Sequence, residues 1–187
     1  MNTRFLLFGL LTLVFISGCQ RDDICPESAD ITPFLILRFY DIEDQQLAKA
    51  PQNLSIREVG DDTTFVSIRS NSSTLTYFRY SQDSIAIPLR TDSGETNLEF
   101  ILNTAETLEE GEDPDEDEDE ENPQNTDTLR FSYTVQEEYL NRACAYKANY
   151  VGLKVNLEGG EESWIQNIQI LETNIDDQNN AHVSIFF

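Results

Sequence analysis

Along Leu129-Arg130-Phe131-Ser132-Tyr133-Thr134-Val135 apolar and polar residues alternate without a break. An extended chain turns successive side chains to opposite faces, so this segment predicts a β-strand with one buried face. Leu98-Glu99-Phe100-Ile101-Leu102 repeats the pattern less strictly. Phe34-Leu35-Ile36-Leu37-Arg38-Phe39-Tyr40 is instead a nearly unbroken apolar run between Pro33 and Asp41. Such a run is expected of a strand covered on both faces, at the centre of the core. Shorter runs predict further strands over 54–59, 64–69, 75–80, 84–90, 146–157, 164–172 and 182–187.

Punctuation between the runs refines the pattern. Gly159-Gly160 predicts a tight hairpin turn, because glycine accepts positive φ, and Pro88 within 84–90 predicts an edge position or a bulge. The best helical stretch, 136–146, is short and reads equally well as strand with a bulge near Cys144. About nine or ten short strands without a long amphipathic helix predict an all-β fold, a single antiparallel β-sandwich of immunoglobulin-like or related topology. The expected domain runs over 32–187 and is long enough to bury a real core.

Charge interrupts that domain once. Between Glu109 and Glu121 eleven of thirteen positions are acidic, broken only by Gly111 and Pro114. Like-charge repulsion and a lack of apolar residues predict a disordered insert over 104–127, with the strands at 98–102 and 129–135 pairing as an antiparallel hairpin on either side of it. The whole chain carries a net charge of −23, from 12 Lys and Arg against 35 Asp and Glu. That balance excludes a nucleic-acid partner and electrostatic docking on anionic lipid. Asp113, Asp115, Asp117 and Asp119 sit at alternate positions, as calcium ligands do. A loop starting at Asp113 nevertheless has Glu118 where calcium loops have glycine and Gln124 where they have a bidentate glutamate, so weak divalent-cation association is expected and a defined site is the lesser alternative.

The N-terminus carries an address. Residues 5–16 are apolar or small, a run suited to a secretory signal and too short to span a bilayer as a helix. Ile16-Ser17-Gly18-Cys19 resembles the bacterial lipobox, which implies a lipoprotein signal peptide over 1–18, diacylglycerol and an N-acyl chain on Cys19, and a short tether over 19–31. Two acyl chains suffice for stable anchoring. Gln20-Arg21-Asp22-Asp23 is similar to the signal that sends lipoproteins of Flavobacteria-type cells to the outer face of the outer membrane; a plain hydrophilic tether is the alternative reading. With Cys19 lipidated, Cys25 and Cys144 remain, an even number in an exported chain and the arrangement of a disulfide. Two free thiols are the alternative; a zinc tetrad cannot be assembled with one histidine and no Cys-x-x-Cys.

Catalytic motifs are missing from the sequence. There is no Gly-x-Ser-x-Gly elbow, no His-Glu-x-x-His and no phosphate-cradling glycine loop. His182 has no neighbouring nucleophile and reads as a structural or surface residue, with general-base chemistry as the alternative. Trp164 reads as core on a face with Ile168 and Ile170, with sugar stacking as the alternative. The terminal run His182-Val183-Ser184-Ile185-Phe186-Phe187 is similar to the last strand of outer-membrane barrels, but barrel strands are longer than most of these runs.

The lipobox with Asp22-Asp23-Ile24-Cys25, then Thr32-Pro33, Arg38-Phe39-Tyr40-Asp41, Asp83-Ser84-Ile85-Ala86-Ile87-Pro88-Leu89, Phe131-Ser132-Tyr133 and Arg142-Ala143-Cys144, resembles a family of uncharacterised Bacteroidota envelope lipoproteins, domain of unknown function 6452. The resemblance implies a lipid anchor, a small β domain and cysteines placed for the bridge. The function expected is a noncatalytic sandwich without a cofactor, held at the outer membrane on the periplasmic or surface face, that binds an envelope protein or glycan. An envelope hydrolase acting on glycan or peptide is the alternative.

Overall fold

The structure is a computed structural model that describes residues 24–26, 31–61, 64–69, 75–76, 79–104, 123–160 and 162–187. The expected signal peptide over 1–18, Cys19, Gln20-Arg21-Asp22-Asp23 and the acidic run with Asp113, Asp115, Asp117 and Asp119 lie outside the described residues. The described residues form strands and connections without a helix, so among them no helix is long and apolar enough to cross a membrane. Two compact units divide the chain: a small one of Met1–Asp30 with Tyr139–Tyr146, and a large one of Ile31–Glu138 with Lys147–Phe187.

Eleven strands are described: β1 Leu35–Tyr40, β2 Ser55–Glu58, β3 Ile68–Arg69, β4 Leu75–Thr76, β5 Ser84–Ile87, β6 Glu95–Leu102, β7 Asn125–Asn141, β8 Ala145–Glu158, β9 Asn167–Ile170, β10 Asn174–Ile175 and β11 Val183–Phe186. They make a six-stranded sheet in the order β4-β3-β5-β1-β11-β9 and a five-stranded sheet in the order β10-β8-β7-β6-β2. The sheets are mostly antiparallel and are not closed into a barrel; β1 and β11 are the parallel pair, with Leu37 opposite Val183 and Tyr40 opposite Phe186. The expected all-β sandwich is what forms.

One cluster of buried side chains joins the two sheets in the large unit. Leu35, Leu37, Phe39, Ile85, Ile87, Val183 and Ile185 come from the first, and Ile56, Leu98, Phe100, Leu129, Phe131, Tyr133, Tyr150 and Leu153 from the second. The alternation in 129–135 does what it predicts: Leu129, Phe131 and Tyr133 are buried while the residues between them are partly exposed. β6 and β7 pair antiparallel across the insert, Leu98 opposite Leu129 and Leu102 opposite Asn125. The strand pairing reaches closer to the insert than expected, since Asn125–Asp127 belong to β7 and Thr104 and Asp127 are buried.

Three expectations are corrected. β1 is covered on one face only, because Ile36, Arg38 and Tyr40 point to a partly open side. The strand buried at every position is β11, whose outer face is covered where Tyr40 stacks on Phe186 at 5.6 Å. Pro88 lies beyond the end of β5, which has β1 and β3 as neighbours and is not an edge. Gly159 and Gly160 do not close a hairpin, since β8 and β9 lie in different sheets. Gly159 is needed for a close approach: a Cβ there would stand 2.7 Å from Ser163 Oγ and 3.4 Å from Asp127 Oδ1. The stretch 136–146, open between helix and strand in the sequence, is the end of β7, a turn and the start of β8.

Candidate functional site

Within the small unit, Cys25 and Cys144 are joined by a disulfide with their Cα atoms 4.7 Å apart, across 119 positions of sequence. Cys144 sits in the turn after β7 and not in a strand. The turn has a local cause. The Asn141 side-chain oxygen Oδ1 accepts from the backbone N–H of both Ala143 and Cys144 at 2.8 Å, an arrangement short polar side chains favour. Ala145 then takes a left-handed conformation with φ 57°, which is costly for a residue with a Cβ. Tyr139 and Tyr146 flank the turn, both exposed, with their rings edge to face at 5.2 Å.

In the large unit, His182 is buried, and its ring is committed to the backbone. Nδ1 accepts the Ile36 N–H at 2.9 Å, and the His182 N–H donates to the Ile36 carbonyl at 2.9 Å. An acceptor at Nδ1 fixes the neutral tautomer with its proton on Nε2. Burial holds its pKa below the ordinary value, against the opposing pull of Glu172, Asp177 and Asp176. Nδ1 is thus occupied and the ring is enclosed, which is the structural reading of this residue. Trp164 is likewise core: its Nε1 donates to the Phe100 carbonyl at 3.1 Å and its ring meets Phe187 at 5.4 Å.

Two buried polar networks stabilise the large unit and were not legible in the sequence. Asp127 Oδ2 accepts from Ser163 Oγ and from the Ile165 N–H, both at 2.7 Å, so the carboxylate fixes the chain entering β9. Tyr133 donates its hydroxyl proton to the Arg90 carbonyl at 2.8 Å, leaving Thr96 to donate to the tyrosine oxygen while accepting the Arg90 N–H at 3.0 Å. Tyr150 donates to the neighbouring Leu89 carbonyl at 3.1 Å, and desolvation pushes its pKa up to about 12. The apolar ends of both tyrosines fill the core, and their hydroxyls satisfy a loop that would otherwise carry unpaired carbonyls. Only the nonlocal partners reveal this; Asp127 even read as part of the insert. Among the described residues, no group of three or more His, Cys, Asp or Glu side chains is placed to hold a metal ion.

Fold and covalent pattern together define a two-sheet β protein with a long-range disulfide. The model described as a family of unknown function (DUF6452) matches residues 53–187, and the chain belongs to that family. The match includes Cys144 but not Cys25, β1 or Ile16-Ser17-Gly18-Cys19. No curated protein and no solved structure matches the chain.

Proposed function

We propose that this chain is a noncatalytic lipoprotein of the Bacteroidota envelope, held at the outer membrane by lipid on Cys19, whose sandwich binds or scaffolds another envelope protein or glycan. The Cys25–Cys144 disulfide carries this reading. A bond of this kind persists in an oxidising compartment, in keeping with export by residues 1–18. It also engages two of the three cysteines and leaves Cys19, at the lipobox position, as the remaining thiol. The commitment of His182 to the backbone of β1 supports a binding role over a hydrolytic one.

The anchor is tested by Cys19→Ala. Expected are loss of labelled palmitate from the protein and its release from the membrane fraction; undiminished labelling overturns the reading. Protease shaving of intact cells then decides between the periplasmic and the outer face, which sets the partners available for crosslinking.

A further inference from the structure

We propose that the turn joining β7 and β8 rests in the interfacial layer of the bilayer that holds the lipid anchor, with Tyr139, Tyr146 and Ile24 as the residues in contact with lipid. This rests on acylation of Cys19, and the test separates the two. Covalent geometry limits the distance. Six peptide units from Cys19 to Cys25 reach at most about 21 Å, and a relaxed chain of that length spans about 13 Å. The disulfide then adds only the 4.7 Å between the Cα atoms of Cys25 and Cys144. Whatever path residues 20–23 take, the turn stays within roughly 26 Å of the acylated residue.

The surface found there suits that position. Ile24 is 85 % exposed, Tyr139 57 % and Tyr146 63 %, so three of the seven large hydrophobic side chains exposed among the described residues belong to a unit with eleven described residues. Tyrosine has an apolar ring and a polar tip, the combination enriched where headgroups meet acyl chains. The two rings meet edge to face, and the disulfide at Cys144 closes the turn between them in sequence. Arg142, exposed in the turn itself, is placed to meet a lipid phosphate. The net charge of −23 gives the chain no general attraction to anionic lipid, so contact at this point draws chiefly on neutral aromatic and aliphatic surface.

The test uses the full lipidated protein in phosphatidylcholine vesicles with bromine on the acyl chains. Trp164 is the native tryptophan and lies buried in the sandwich, so wild type should be quenched little. Tyr139→Trp and, independently, Tyr146→Trp add a reporter at the turn. Each should lose about half of the added emission in brominated vesicles relative to unbrominated ones. Intact mass and vesicle flotation report acylation in the same sample. Acylated, floating protein whose added tryptophan is unquenched in both variants overturns the docking and leaves the anchor standing. Protein that carries no lipid and does not float overturns the anchor and the docking together. Protection of the added tryptophan from acrylamide in whole cells, without quenching by bromolipid, assigns the turn to a protein or glycan instead.

Discussion

The sandwich and the disulfide-tied turn are stabilised by different physics. In the sandwich, apolar faces of two sheets remove each other from water, and its buried polar groups, Asp127, His182, Tyr133 and Tyr150, have partners. Among the described residues of the small unit there are a disulfide, an asparagine-capped turn and an aromatic pair, and Ile24, Tyr139 and Tyr146 face outward. In the small unit a disulfide closes the turn that lies between two exposed tyrosines, whereas in the sandwich the large apolar side chains are turned inward.

Substitutions should separate the two regions sharply. The largest effect belongs to the core: Phe131→Ala removes a fully buried ring packed near Phe100 and should cost about 3–5 kcal/mol in chemical denaturation. A loss under about 1 kcal/mol would contradict the packing described. His182 comes next. Its replacement by alanine leaves the Ile36 N–H buried without an acceptor and should cost about 2 kcal/mol.

The same residue gives the sandwich a pH dependence whose sign follows from its lowered pKa. Unfolded histidine takes up a proton near pH 6.5, and the folded residue only at lower pH, so acidification favours the unfolded chain. The contribution is complete above about pH 6.5 and is lost as pH falls through the folded pKa. Thermal midpoints measured between pH 7.5 and 5.5 should fall in wild type and fall less in His182→Gln. Equal slopes would remove His182 from the account. The smallest effect belongs to the turn: Tyr139→Ser with Tyr146→Ser should change the stability of the protein in detergent-free solution by no more than about 0.5 kcal/mol, because both rings are more than half exposed in the folded chain. A loss of 2 kcal/mol or more would make the pair structural.

The difference between the regions also explains what the sequence disclosed. Local periodicity was enough for β7 and for its pairing with β6, since Leu129, Phe131 and Tyr133 need only one covered face. It misjudged β1, because the covering of a second face depends on nonlocal neighbours, such as Tyr40 over Phe186 of β11, that no window of sequence contains. Gly159 carried the same turn signal as any glycine, yet what constrains it is the approach of Ser163 and Asp127. β10 has two residues and lay below any periodic signal. At the turn, cysteine parity found the bond, while the exposure of Tyr139 and Tyr146 was hidden in a stretch that fitted helix and strand alike.

The most direct measurement is nonreducing peptide mapping by mass spectrometry of the protein extracted from membranes. The account predicts one species in which an N-terminal peptide beginning at an acylated Cys19 is joined through Cys25 to the peptide carrying Cys144. Free, alkylatable Cys25 and Cys144, or an unmodified Cys19, would contradict it.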